Sequence, residues 1–182
     1  MDVMVDIETL SSRLDAVVLS IGACEFDPES GVVGLTFYGA ANPNQSGRHI
    51  SGDTVLWWLL QDDAARKAIT GRKRVTLEKL LEQFSGWFPG GEKIWSHATF
   101  DIPVLTSAYE SVGKKPPWIF SNCRDIRTIL DHGGMSRDEY VRLKESGGTL
   151  HDALSDAIGQ AAIVSACIAR IRGADSGRNG RH

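Results

Sequence analysis

Asp6 and Glu8 stand one residue apart inside the apolar run Met1-Asp-Val-Met-Val-Asp-Ile-Glu-Thr-Leu10, and that placement restricts what the chain can become. Successive side chains of a β-strand point to opposite faces, so positions 6 and 8 project from the same one. Two carboxylates that close repel each other as anions, and either is costly to bury alone. A bound divalent cation removes that penalty, and carboxylate oxygens are the hard ligands that Mg²⁺ or Mn²⁺ takes. On this pair alone, a strand end carrying two solvated acids accounts for the sequence about as well.

Three further residues shift the balance. Asp101 lies in Trp95-Ser-His-Ala-Thr-Phe-Asp-Ile-Pro-Val-Leu105, where a strand-like segment gives way to a helix-like one. His151 and Asp156 lie in Leu150-His-Asp-Ala-Leu-Ser-Asp-Ala157, at the start of the last helical pattern. In chain order the motifs are Asp-x-Glu, Phe-Asp-x-x-x-Leu and His-x-x-x-x-Asp, each weak alone and fairly specific in this order. The series resembles the DEDDh-type 3′–5′ exonucleases of the ribonuclease-H-like superfamily, over residues 1–172. It is most similar to their compact, stand-alone bacterial and phage exoribonuclease-like branch.

The resemblance implies an α/β fold of ribonuclease-H-like type. Its mixed sheet combines an antiparallel three-strand meander with parallel strands, and helices cover both faces. It also implies two divalent cations, Mg²⁺ or Mn²⁺, held by Asp6, Glu8, Asp101 and Asp156. In that family the first Asp bridges both ions, the Glu and the last Asp complete the nucleophile-side ion, and the middle Asp supports the other. Two such ions activate the attacking water and stabilise the leaving oxygen. His151 takes the place of the family's general base, since a neutral imidazole can accept a proton near pH 7. Five residues at 100° each put His151 and Asp156 well apart on a helix, so His151 is expected on the entering loop, made mobile by Gly147-Gly148. The other histidines (His49, His97, His132, His182) read as surface residues.

Neighbouring acids have plainer explanations. Asp152, in the first turn before Asp156, suits the helix dipole. Asp125 orients a neighbour or forms a salt bridge, outside the site. Gly159 permits close approach to the sheet or to another helix, and the sequence does not choose between them.

At 182 residues the chain is read as one exonuclease domain over 1–172, followed by a polar tail over 173–182 expected to be disordered. No run approaches a membrane span, and no basic then apolar leader precedes the first strand, so a cytoplasmic location and no membrane partner are expected. Cys24, Cys123 and Cys167 are odd in number and lack a Cys-x-x-Cys pair, which excludes a disulfide framework and a structural zinc site; Cys24 and Cys167 read as core. The net charge of −3 looks wrong for a nucleic-acid binder. Setting aside the four acids assigned to cations leaves the rest of the chain at +1. That balance suits a short strand end better than tight duplex coating through phosphates.

Periodicity predicts strands over 2–8, 16–26 and 32–40, with a turn at Asp27-Pro-Glu-Ser-Gly31. One helix is expected from Asp53 or Thr54 as cap to about Ile69, another from Thr76 as cap through Phe88. A buried strand over 92–97 leads into a helix over 100–112, with Pro103 in its first turn. A short strand over 118–125, a helix from Ile126 ending at Gly133-Gly134, and a final helix over 151–171 complete the pattern.

In the family, the residues after the first two ligands meet the terminal nucleotide, which makes Thr9 and Leu10 candidates here, with Leu10 wedging against the base. Phe100 is a further candidate, although core packing explains it better. Trp57 and Trp58 point to different sides of a helix; Trp58 is the candidate for stacking on a base, with a dimer contact as equal competitor. Arg66-Lys67 and Arg72-Lys73-Arg74 read as a solvated helix end. The expected function is metal-dependent 3′–5′ exonucleolytic release of nucleoside 5′-monophosphates from single-stranded nucleic acid. The branch favours RNA and a homodimer; the residues themselves do not rank RNA against DNA. The alternatives are a proofreading-like exodeoxyribonuclease and a non-catalytic nucleic-acid-binding module on the same fold.

Overall fold

The computed structural model describes residues 1–71 and 73–179. β1 (Asp2–Thr9), β2 (Val18–Phe26) and β3 (Val33–Ala40) form the expected antiparallel meander. β4 (Ile94–Ser96) pairs parallel with β1, and β5 (Cys123–Asp125) parallel with β4, giving the order β3-β2-β1-β4-β5. β1 is therefore the central strand, and every one of its residues is buried.

Helices cover both faces. Between β3 and β4 run α1 (Gly52–Leu59), α2 (Asp63–Thr70) and α3 (Leu77–Trp87); α4 (Asp101–Ser111) joins β4 to β5. α5 (Ile126–Gly133), α6 (Arg137–Glu145) and α7 (Ala153–Asn179) follow β5. The alternation of β1 sorts them. Val3, Val5 and Ile7 pack against Leu80, Phe84, Leu105 and Tyr109 of α3 and α4. Met4, on the opposite face with Asp6 and Glu8, packs against Ile126 of α5 and Ala157, Ala161 and Val164 of α7. Cys24 and Cys167 lie buried there too. The sheet thus has two cores, and the acids belong to the α7 side.

Four details differ from the sequence expectations. The helix expected from residue 53 to 69 is two. Ser51, not Asp53 or Thr54, caps α1 by accepting from the Thr54 N–H at 3.4 Å, while the Asp62 carboxylate accepts from the Ala65 N–H at 2.8 Å and starts a new helix. α6 goes unforeseen, although Ser136 and Glu139 have capping-box spacing and Ser136 caps it. The stretch expected as a strand from 118 is a 3-10 turn at Phe120–Asn122 before β5. Last, α7 continues through 173–179, within the segment expected as a polar tail; residues 180–182 lie outside the described residues. Contrary to the expectation that no run approaches a membrane span, Ala153–Gly173 is long and apolar enough to cross one by length and composition. Here it is the central core helix, packed on β1, β2, α5 and α6.

How closely α7 seats depends on glycines. A Cβ at Gly22 would lie 2.1 Å from the Ala153 carbonyl carbon, and Gly22 is the β2 partner of Asp6. At Gly147 a Cβ would meet the Ser155 carbonyl oxygen at 1.9 Å, and at Gly159 the Lys144 carbonyl oxygen at 2.4 Å. Gly159 therefore serves helix–helix contact. Gly147, expected to loosen the loop, instead docks it against α7.

Gly22→Ala is expected to destabilise the fold by about 1–3 kcal/mol, because backbone on the α7 side cannot yield without displacing the helix. Gly86→Ala, in α3 with open space around it, should be neutral or stabilising by about 0.4–1 kcal/mol. Denaturant midpoints check both; equal midpoints for the two variants would contradict the seating of α7.

Candidate active site

Three elements and one loop deliver the candidate residues. β1 carries Asp6 and Glu8 to the α7 face by alternation. Asp101 is the first residue of α4, after a four-residue connection from β4. Asp156 stands in the first turn of α7, and Asp152 caps that helix by accepting from the Ser155 N–H at 3.1 Å. His151 lies on the entering loop, with φ of 60°, the one non-glycine residue at positive φ among those described. Histidine tolerates that region better than most side chains.

The structure sets the four carboxylates within electrostatic reach of one another and brings three of the five residues to one point. A carboxylate oxygen of Glu8, one of Asp156 and a ring nitrogen of His151 lie within 4.8 Å of one another. The Asp156 Oδ2 accepts from the His151 backbone N–H at 3.2 Å, and the Asp101 Oδ2 from the His97 backbone N–H at 2.8 Å. The Gln160 amide donates its Nε2–H to Asp6 Oδ1 at 2.8 Å. All four carboxylates are buried. Glu8 Oε1 and Asp156 Oδ1 have no hydrogen-bond partner at all.

Burial and mutual repulsion push these acids upward together. Desolvation first, then the Asp156 charge, raises Asp6 to about 7, with the Gln160 amide and the Lys144 ammonium pulling back. Desolvation followed by Asp6 and Asp156 holds Glu8 well above the usual carboxylate range. Asp101 is likewise held well above it, by desolvation and then by Asp6. Asp156 is raised by burial and partly relieved by Lys144 and His151. Nearby, burial and then the Arg127 charge depress His97 to about 4, so its imidazole is neutral at neutral pH.

These donors fit a divalent cation. Unpaired, buried carboxylate oxygens converging on one point are costly without positive charge, and hard oxygen donors suit Mg²⁺ or Mn²⁺. Glu8 and Asp156, with the His151 ring nitrogen beside them, are the donors close enough together to hold one ion.

The flanking candidates sort unevenly. Thr9 is buried, its Oγ1–H donating to the Ser11 carbonyl at 2.7 Å. Leu10 is half-buried against Val17, Leu19 and Trp58. Phe100 packs on the α3–α4 core, in keeping with the plainer reading. Trp58 corrects the expectation: it is 4% exposed, and its Nε1–H donates to the Thr9 carbonyl at 2.9 Å, so its face is not open to a base. The exposed tryptophan is Trp57, at 43%. His97 corrects another, being half-buried behind Asp101 and not on the surface. Asp125 caps α5 and accepts from the Ala98 N–H at 3.0 Å, outside the site as expected. Of the basic cluster, Arg74 donates to the Ala41 carbonyl at 2.6 Å and Arg66 pairs with Asp63, while Arg72 lies outside the described residues.

Gln160 and Lys144 went unnoticed in the sequence. Gln160 had a signal: it follows Asp156 by four residues on one helix face, a polar residue in an apolar helix. Lys144 had none, because it sits on the unforeseen α6 and reaches the acids only through tertiary packing.

Residues 1–168 match the 3′-5′ exoribonuclease Rv2179c-like domain. No curated protein matches the chain by sequence. Among solved structures, E. coli exonuclease I in complex with a dT13 oligonucleotide aligns with all of this chain and 44% of its own, at 15% identity and a TM-score of 0.66. The chain therefore spans less than half the length of that protein. Exonuclease X in complex with 5′ overhanging duplex DNA aligns over 92% of this chain and 91% of its own, at 18% identity and a TM-score of 0.57. The nuclease domain of 3′hExo, a DEDDh family member bound to rAMP, aligns over 96% and 92%, at 13% identity and a TM-score of 0.59. At these identities the likeness establishes a shared fold, the ribonuclease-H-like one.

An acid raised by folding favours the native state at low pH and opposes it once ionised. With Asp6 at about 7 against an ordinary 3.8, the metal-free protein should lose stability as pH rises from about 4 through about 7, and Glu8 and Asp101, shifted in the same direction, should add to the loss. Melting in EDTA should thus show Tm falling between pH 5 and pH 8. Mn²⁺ should restore it at pH 8, by about 2.7 kcal/mol at a hundredfold excess over Kd. Asp6→Asn should flatten the fall and weaken the Mn²⁺ response. A pH-independent Tm in EDTA would contradict the electrostatic account.

Proposed function

The chain belongs to the 3′-5′ exoribonuclease Rv2179c-like family; on that premise we propose that it is a 3′-5′ exonuclease that shortens single-stranded RNA from a free 3′ end. The products are nucleoside 5′-monophosphates, released one at a time. The observation that carries this reading is the convergence of Glu8, Asp156 and His151 beside Asp6 and Asp101, with two carboxylate oxygens buried and unpaired.

Asp6, Glu8, Asp101 and Asp156 would hold divalent cations, which would supply positive charge to activate a water and to stabilise the departing 3′-oxygen. The chain's own residues do the rest. His151 accepts the proton of the attacking water as its oxygen bonds to phosphorus and the P–O3′ bond breaks. The leaving 3′-oxygen takes a proton from solvent. Gln160 fixes the rotamer of Asp6, leaving its second oxygen free to ligate. Leu10, half-buried at the end of β1, meets the terminal base, and Thr9 meets the terminal nucleotide through its backbone.

The family description and the rAMP bound by 3′hExo support RNA as substrate. The DNA in the exonuclease I and exonuclease X complexes favours a second reading, a 3′–5′ exodeoxyribonuclease. Retention of five chemically matched residues speaks against a binding module, which has no need of buried acids that repel one another.

Incubation with 5′-labelled single-stranded RNA and DNA should give a ladder shortening by single nucleotides in Mg²⁺ or Mn²⁺ and none in EDTA. A circular strand should resist. His151→Ala should lower single-turnover rates by roughly 10²–10⁴-fold. Cleavage of the circle, full activity in EDTA, or a His151→Ala rate within a few-fold of wild type would each contradict the assignment.

A further inference from the structure

His151 occupies an exposed-loop position in a left-handed backbone conformation, yet a general base must hold its ring still. Two contacts address that need, and neither comes from the loop itself. The ring of Trp57 meets the His151 imidazole edge-to-face, with centroids 5.1 Å apart and planes at 84°. The ring of Trp58 meets it at 6.1 Å and 83°. The two indoles also pack against each other, at 4.9 Å and 75°. All three pairs fall within the separation of about 4.5–7 Å at which aromatic rings attract edge-to-face.

The pair is anchored to the site's own strand. Trp58 is buried among Val17, Leu19 and Ala65, and its Nε1–H donates to the carbonyl of Thr9, the residue following Glu8. Trp58 is thereby fixed relative to the carboxylates, and Trp57 extends the wall over the imidazole. On the other side the His151 backbone N–H is held by Asp156 Oδ2. His151 is thus held through its ring by α1 and through its backbone N–H by the start of α7, elements more than ninety residues apart in the chain.

We propose that Trp57 and Trp58 of α1 position His151 for proton transfer, acting as a buttress that fixes the imidazole relative to Glu8 and Asp156. The inference rests on the reading of His151 as general base. It makes Trp57 a positioning residue, one that acts through His151. The competing role for an exposed tryptophan at an active-site rim is to stack on a substrate base. The two roles differ in what they change: a stacking residue supports substrate affinity with or without His151, whereas a buttress matters only while His151 is present.

A double-mutant cycle on the full chain separates them, with kcat and KM for single-stranded oligonucleotide cleavage in Mn²⁺. Trp57→Ala is expected to lower kcat by about 10–100-fold, the scale of a misplaced catalytic group, with KM changed less than threefold. Trp57→Phe should recover most of the loss, since it restores an edge-to-face partner. In the His151→Ala background, Trp57→Ala should cause no further loss. A Tm within a few degrees of wild type for Trp57→Ala separates positioning from unfolding; should that variant melt early, Trp57→Leu, which keeps bulk without a ring, takes its place. Additive losses in the double variant, an effect confined to KM, or wild-type kcat for Trp57→Ala would each overturn the proposal while leaving the base assignment standing. A wild-type rate for His151→Ala would overturn both.

Discussion

Four carboxylates removed from water and set against one another are the constraint around which this molecule is arranged. Burial raises the pKa of each, and together they oppose ionisation further. The protein offsets only part of the cost: one amide hydrogen bond from Gln160 to Asp6, one backbone N–H each to Asp101 and Asp156, and the Lys144 ammonium near Asp6 and Asp156. Glu8 receives least, being well buried with one oxygen unpaired. A site built this way is incomplete by its own electrostatics, and the missing component is positive charge.

The fold serves that arrangement by making α7 do two things at once. Its apolar face closes the core over Met4, Cys24 and Ile126, and the same face presents Asp156 and Gln160 to the acids on β1. Such a helix has little freedom to shift, because displacing it would open a core and separate ligands together. Gly22 lets its first turn reach the backbone of β2 opposite Asp6, and Gly147 with Gly159 lets the end of α6 close on it from outside. Lys144 is brought to the acids by that second contact. Packing and electrostatics are therefore set by the same few steric allowances.

What could be seen beforehand follows from which interactions are local. The shared face of Asp6 and Glu8 is a consequence of strand period, and the meander of turn chemistry, so both are legible residue by residue. Asp101, His151 and Asp156 are legible only through motif order, because nothing in spacing says that residues 6 and 156 meet. The loop position of His151 could be worked out from helical angles; its left-handed φ and its contact with Trp57 could not. Trp58 was misassigned because two adjacent tryptophans on a helix look alike until the Thr9 carbonyl selects one for burial. The break between α1 and α2 and the existence of α6 were written in the capping residues Asp62 and Ser136; the hydrophobic period running across Asp62 hid the first, and the second opens a polar helix with no buried residue to mark it. Gly147 was misread for a deeper reason, since a glycine's permissiveness and its lack of volume look identical in sequence.

The central claim is that these buried acids exist to hold divalent cations at one place. Anomalous diffraction from crystals equilibrated with Mn²⁺ at pH 8 tests it directly. The account predicts a manganese peak bounded by Glu8, Asp156 and Asp6, close to His151, and its loss in Asp6→Asn crystals treated alike. Manganese bound only elsewhere on the chain, or acids ordered as they are here at pH 8 with no ion among them, would contradict it.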